Sequence, residues 1–451
     1  MMSGDLTRRQ FMVAASAGSV AAATSRTVPA YGNLTNKAGK LALLGGEPVR
    51  KKKPLPDWPY CDDKIVEAVT KATRSTKWCR IQGGANAVVT LEKEFAKLTG
   101  AKHCVATGSG TQALHTCVEA LGIGPGDEVI TSPYTDPGTI AAILSARALP
   151  VLADLDPASY QLDPDDVERK INENTRALMP VHMMGQPCDL DRIMALAKKH
   201  NLKVIEDAAQ AHLAEHRGRK LGTIGDLGCF SFQSSKVLAC GEGGAVVGNN
   251  DDLMDKCYTV HNHGTSRRGL TEMIGPKYRM NEFEAAVLLA QWSGLHERHT
   301  RRNENAKYLT SRLKDIPCLT PQKLYDGMNA GSWYLYAMSY HKEHLNGIDR
   351  ATFLKALAAE GVSLSPYIKQ GLHREPWIDT ILNMKVYKTM YSAERLRRYR
   401  DECQCPRCDQ VCAEMAMIWA SGPLLASRQD MVEIADAIEK VYVNRDQLKP
   451  A

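Results

Sequence analysis

Between residues 100 and 250, short apolar runs alternate with amphipathic stretches, and this alternation restricts the chain to few folds. Residues 103–107, 128–132, 150–154, 177–182, 203–206, 228–232 and 245–248 predict strands. Residues 112–121, 163–171 and 189–200 predict helices between the early ones. Strands and helices in alternation give a mostly parallel sheet covered by helices on both faces. Ligands of such sheets bind at the carboxyl ends of the strands. Ser109, Tyr134, His182, Asp207 and Ser231 fall at those ends. Helical periodicity then dominates residues 282–313, followed by a strand-like run at 333–340, an amphipathic stretch at 350–360 and a last helix at 429–443. The pattern divides the chain into a large α/β domain over 36–300 and a smaller C-terminal α/β domain over 301–451.

A chain of 451 residues, 44% apolar and 24% charged, can bury a sizeable core. The net charge of +6 is modest and partly local, in Arg50-Lys51-Lys52-Lys53. Such a run reads as a solvated face, so neither a nucleic-acid partner nor a membrane anchor is expected. The N-terminus departs from this ordinary picture. Thr7-Arg8-Arg9-Gln10-Phe11-Met12 is a twin-arginine pattern, and a weakly apolar stretch over residues 13–24 is too short for a permanent span. With Val28-Pro29-Ala30 as a region for cleavage, residues 1–35 resemble a bacterial twin-arginine export signal, and export is expected. A disordered tail on a cytoplasmic protein is the alternative.

Three segments carry chemistry. In Val204-Ile205-Glu206-Asp207-Ala208-Ala209-Gln210, a strand ends in two acids. A carboxylate there can sit beside a pyridine nitrogen and favour its protonated form, which makes pyridoxal 5′-phosphate (PLP) an electron sink. The same acid pair could equally cap a helix. In Ser231-Phe232-Gln233-Ser234-Ser235-Lys236, a lysine lies 29 residues beyond Asp207, after one more strand. A buried lysine loses its proton more easily and can form an imine, although a surface lysine after a strand is the simpler reading of that residue alone. In Thr107-Gly108-Ser109-Gly110-Thr111-Gln112, a strand turns into a helix whose free N–H groups can cradle a phosphate. A single Gly-Ser-Gly turn is unspecific; the three segments in this order on one sheet edge are far more specific.

At these residues the chain resembles the DegT/DnrJ/StrS family of PLP-dependent aminotransferases. Leu43 to Pro48 (LLGGEP) resembles the usual opening of the family domain. Ser109-Gly110-Thr111-Gln112-Ala113-Leu114 resembles the phosphate turn, and Gly124-Pro125-Gly126-Asp127-Glu128-Val129 the strand entry after it. His182-Met183-Met184-Gly185-Gln186-Pro187-Cys188-Asp189 and Tyr278-Arg279-Met280-Asn281-Glu282 resemble two further family segments. The resemblance implies a PLP-dependent transferase of fold type I with a seven-stranded sheet, acting as a homodimer with shared active sites. It implies Lys236 as the Schiff-base lysine and Asp207 facing the pyridine nitrogen. It places Gln210 near the ring hydroxyl, and Ser109, Gly110, Thr111 and Ser231 on the phosphate. The implied activity moves an amino group from an amino-acid donor to a keto-sugar or keto-cyclitol acceptor.

Two positions depart from the family pattern. Where the family stacks an aromatic residue on the cofactor ring, Pro133-Tyr134-Thr135-Asp136-Pro137 offers Asp136, with Tyr134 as the nearest substitute. Where the family has an asparagine that reaches the neighbouring subunit's phosphate, this chain has Lys277. A PLP enzyme of another reaction type, or a PLP- or sugar-binding sensor without turnover, are the alternative functions. Cys403, Cys405, Cys408 and Cys412 invite a zinc or disulfide reading, but free thiols are expected, since structural zinc sites pair two distant ligand pairs. His261 and His263, near Arg267 and Arg268, are candidates for the cleft or for structural histidines.

Overall fold

A computed structural model of the chain describes residues 39–51 and 54–449. The twin-arginine pattern and the stretch after it lie outside the described residues. Two helices, α1 (Asp63–Ser75) and α2 (Ala87–Thr99), precede the sheet. Its strands are β1 (His103–Thr107), β2 (Glu128–Thr131), β3 (Leu149–Leu152), β4 (Thr175–Met179), β5 (Lys203–Asp207), β6 (Leu227–Ser231) and β7 (Gly244–Gly248). They lie in the order β1-β7-β6-β5-β4-β2-β3. Every pairing from β3 to β6 is parallel, and β7 runs antiparallel to both of its neighbours. The seven-stranded, mostly parallel sheet expected from the alternation is present.

Helices α3 (Gly110–Ala120), α4 (Pro137–Ser145), α5 (Pro164–Lys170), α6 (Leu190–His200) and α7 (Asp251–His261) connect and cover the strands. Their starts are written in the sequence. Ser109, Asp136, Asp163, Asp189 and Asn250 each cap a helix by accepting a backbone N–H. The strands are buried on both faces, and alternate residues enter different cores. Val129, Ile205, Cys229 and Val246 join one apolar cluster. Their neighbours Ile130, Val204, Phe230 and Ala245 join the other. In the second cluster Phe95 of α2 meets Phe230 and Phe232 edge-on, at centroid distances of 5.0 and 5.2 Å, an arrangement favoured by the ring quadrupoles.

The helical run after residue 281 is two helices, α8 (Glu282–Ala290) and α9 (Leu295–Leu313), broken by one tight turn at Trp292–Gly294. Helix α9 starts in the large core at Leu295 and ends in a separate one at Leu313. That second core is built on an antiparallel sheet of β8 (Leu319–Pro321), β9 (Leu335–Tyr340) and β10 (Met415–Trp419), in the order β8-β9-β10. Helix α10 (Arg350–Ala359) and the last helix of the domain, Arg428–Val443, cover it.

Two segments cross the domain limits expected from the sequence. Residues 39–50 pack on the small domain, not the large one. Leu41 lies in the small core, the backbone N–H groups of Gly39 and Leu41 donate to Asn444 and Gln447, and Arg50 pairs with Asp430 at 2.9 Å. In the other direction, residues 372–412 return to the large core. Helices α11 (Trp377–Asn383), α12 (Lys385–Met390), α13 (Ala393–Glu402) and α14 (Pro406–Glu414) pack there through Ile378, Tyr387, Leu396 and Val411. The hydroxyls of Tyr391 and Tyr399 donate to the carbonyls of Asp127 and Pro150, at 2.8 and 2.7 Å. Arg395 forms a buried two-point pair with Glu128 at 2.6 and 2.9 Å. Apolar periodicity shows that a helix has a face to bury, but not which core receives it.

Candidate active site

The turn after β1 packs against the ends of β6 and β7. A Cβ on Gly110 would lie 2.7 Å from the Ser231 Cβ, and one on Gly244 would lie 2.3 Å from the Ser109 carbonyl oxygen. Only glycine allows this approach, and it brings the N-terminus of α3 to the end of β6. The Ser109 hydroxyl accepts from the Gln112 N–H at 3.2 Å and caps the helix. Gly138 is held as tightly, since its Cβ would meet the Thr111 hydroxyl at 2.4 Å. The first turns of α3 and α4 therefore close on one space.

That space is a cavity of about 380 Å³. Ser109, Gly110, Thr111, Asp207, Ser231 and Lys236 all line it. Asp207 ends β5, and Lys236 follows β6, its neighbour in the sheet. Adjacent parallel strands thus bring together two residues distant in sequence. The Asp207 carboxylate accepts from the Thr139 hydroxyl at 2.8 Å and from the Ala209 N–H at 3.2 Å. Burial raises its pKa above the usual carboxylate range, and these donors act against that. A buried carboxylate satisfied by neutral donors still lacks a close counter-ion.

Lys236 is 9% exposed. Burial pushes its ammonium down to about 8, with Asp207 and Asp136 opposing the change. Its Nζ sits 4.1 Å from the centroid of the Tyr334 ring. The backbone around it is fixed from outside the sheet. The Trp58 indole donates to the Lys236 carbonyl at 2.7 Å, and the Ser421 hydroxyl to the Ser235 carbonyl at 2.7 Å. The fully buried Arg302 of α9 in turn donates twice to the Ser421 carbonyl, at 2.9 and 2.6 Å. The small domain thereby helps set where the lysine stands.

Other predicted residues fall outside the cavity lining. Tyr134 does not substitute for a ring-stacking aromatic. It is fully buried in the large core, and its ring meets the edge of Tyr367 at 6.3 Å. Asp136 lines the cavity instead. Gln210 is one residue removed: its amide oxygen accepts from the Met184 N–H at 2.8 Å, and its nitrogen donates to the Tyr367 hydroxyl at 3.3 Å. Lys277 is exposed and does not line this chain's own cavity. His261 ends α7 fully buried, is pushed down to about 3 by burial, and lies outside the cleft, as does His263. His182 is buried against Glu206, Nε2 to carboxylate at 3.0 Å, and Glu206 also accepts three backbone N–H groups from residues 222–225. That pair braces the loop between β5 and β6. The cysteines Cys403, Cys405, Cys408 and Cys412 are buried thiols around α14. No group of histidines, cysteines and acids among the described residues could hold a metal ion.

Sequence reasoning missed Thr139, Trp58, Tyr367 and Trp419, and placed Tyr334 only in a strand-like run. Thr139 had a signal, since it stands in the first turn of the helix capped by Asp136. The others come from remote segments and carried none.

A buried lysine and a carboxylate at the carboxyl edge of a mostly parallel sheet, with a helix N-terminus facing them, are the arrangement expected of fold type I. The DegT/DnrJ/EryC1/StrS aminotransferase family matches residues 59–409, and the chain belongs to that family. It is 34% identical over 426 residues to the L-glutamine:2-deoxy-scyllo-inosose aminotransferase of Streptoalloteichus tenebrarius, covering 91% of this chain and 99% of that one. It is also 34% identical to the L-glutamine:scyllo-inosose aminotransferase of Streptomyces griseus, covering 90% and 98%. Among solved structures, an aminotransferase from Psychrobacter cryohalolentis superposes with a TM-score of 0.76 at 27% identity, over 87% of this chain and 100% of that one.

Proposed function

We propose that this enzyme moves the amino group of an amino-acid donor, L-glutamine foremost, to the ketone of a polyhydroxylated ring, a keto-cyclitol or keto-sugar, with PLP held at Lys236. The observation that carries the reading is that Lys236 and Asp207 face one cavity closed by the N-terminus of α3. The names of the two relatives point to the donor and to the ring ketone.

The residues present fit PLP. Asp207 is a buried carboxylate without a close counter-ion, the environment a protonated pyridine nitrogen would complete. The α3 N-terminus, with Ser109, Gly110, Thr111 and Ser231, would hold the phosphate through free N–H and hydroxyl groups. PLP bound there supplies an electron sink for breaking the substrate Cα–H bond. Asp207 would keep the proton on the pyridine nitrogen. The Lys236 amine, neutral above about pH 8, would take the proton from the substrate carbon and return it as acid. Tyr334 lays an aromatic face against Nζ and shields that proton from water.

The test is to incubate the purified enzyme with L-glutamine and scyllo-inosose and to look for the amine by mass spectrometry. Donor-driven loss of the cofactor's visible band, with no ring ketone in a panel aminated, would count against the acceptor reading.

We also propose a homodimer in which Lys277 reaches the phosphate site of the partner subunit. Its exposed ammonium would form a charge-assisted bond there, roughly twice as strong as a neutral one. Lys277→Ala is expected to lower PLP retention several-fold in a dimeric protein. A monomer by light scattering, or unchanged retention, would refute this. The twin-arginine pattern supports export. Replacing Arg8 and Arg9 together with lysine should leave the precursor in the cytoplasm, and a double variant exported as well as the natural sequence would end that claim.

A further inference from the structure

We infer that Asp136 selects an acceptor bearing an ammonium group, which it holds at the mouth of the cleft against aromatic walls. The inference rests on the ring-ketone reading above.

Asp136 has one structural duty. Its Oδ1 accepts from the Gly138 N–H at 2.8 Å and caps α4, with Pro137 in the first turn. Serine, threonine or asparagine would cap equally well without a charge. The carboxylate is therefore more than the helix requires. It is exposed, and it lines both the Lys236 cavity and a second, more apolar cavity of about 700 Å³. Tyr367 is the other residue shared by the two, so the cavities adjoin at this pair.

The charges along this path have one sign apart from the reactive lysine. Glu242 lines the first cavity and Glu375 the second, and Lys236 is the only cation among the described residues lining either. An anionic acceptor would meet carboxylates here, whereas an ammonium would find a counter-charge. The walls suit it as well. Trp419 meets Tyr334 and Tyr367 edge-on, at 5.9 and 6.0 Å, and all three line the Lys236 cavity. Aromatic faces attract cations through their quadrupole. The chain's own Lys236 ammonium already lies 4.1 Å from one of these rings.

A matched pair of ketones tests this: 2-deoxy-scyllo-inosose and 3-amino-2,3-dideoxy-scyllo-inosose, which differ by an ammonium in place of one hydroxyl. With the full-length holoenzyme, kcat/KM should favour the amino ketone by about tenfold, as expected for one charge-assisted contact. In Asp136→Asn, which preserves the cap, that preference should fall by about tenfold. A purely structural role would slow both ketones alike and leave the ratio intact, which overturns the inference. So does a wild-type enzyme that treats the two ketones equally. If the donor half-reaction proceeds and neither ketone is aminated, the ring-ketone reading itself fails and this inference falls with it.

Discussion

Replacing Lys236 with alanine is expected to abolish amino transfer while leaving the fold intact. The side chain is buried and pairs with no carboxylate, so its loss removes a costly charge along with some packing against Tyr334. Loss of the proton shuttle alone accounts for roughly 10²–10⁴ in rate. In the proposed role the covalent anchor goes as well, so turnover should drop below detection. In the natural enzyme, borohydride should fix PLP to the peptide containing Lys236. The pH dependence follows from burial, which brings the ammonium down to about 8. Below that value the amine is protonated and unreactive. The rate at which the apoenzyme takes up PLP should therefore rise with pH, pass half of its maximum near 8 and level off above that. An exposed lysine would go on gaining until about 10.4. Label on a different lysine, or a rate still climbing at pH 10, would remove Lys236 from the reaction.

Asp207→Asn is expected to separate catalysis from stability. Burial raises the carboxyl pKa, and the Thr139 hydroxyl, the Ala209 N–H and the charge of Lys236 offset it only in part. A raised carboxyl pKa means that the ionised form is the disfavoured one, so at neutral pH the group opposes folding. Asparagine has nearly the same shape and can still accept from Thr139. The apoenzyme variant should melt no lower than the natural apoenzyme. Its amino transfer should fall by roughly 10²–10³, the loss usual for one preorganised electrostatic contact in a water-poor site. Near-normal turnover would show that Asp207 does not govern the cofactor's electronics. A large fall in apoenzyme melting temperature would show that the carboxylate is chiefly structural.

The candidate site residues could be picked out because each sits where a periodic segment ends, and the structure brings them to one cavity. Asp207 closes a β-branched run, Ser109 starts a helix after a glycine turn, and Lys236 follows the next strand. Local rules of capping and strand length place such residues without knowledge of the fold. Tyr134 shows the limit of that logic. Pro133-Tyr134-Thr135-Asp136 follows the end of β2, where no period tells which side chain turns inward. The apolar body of Tyr134 is drawn into the large core, and the carboxylate of Asp136 is left to the cleft. Hydrophobic burial decides between neighbours, and only the surrounding core fixes its direction.

Fold class and the three helices between the early strands could be read from the chain, because these rest on the period of apolar residues and on capping side chains one to three positions away. Tertiary structure alone decided the rest of the site. It set β7 antiparallel between β1 and β6, which lets Gly244 meet the Ser109 turn. It sent residues 372–412 back to the large core and residues 39–50 forward to the small one. It brought Trp58, Tyr334, Tyr367, Trp419 and Ser421, separated by up to hundreds of residues, around one lysine. Such contacts depend on which faces remain unburied once the sheets have formed, and no local pattern in the chain records that.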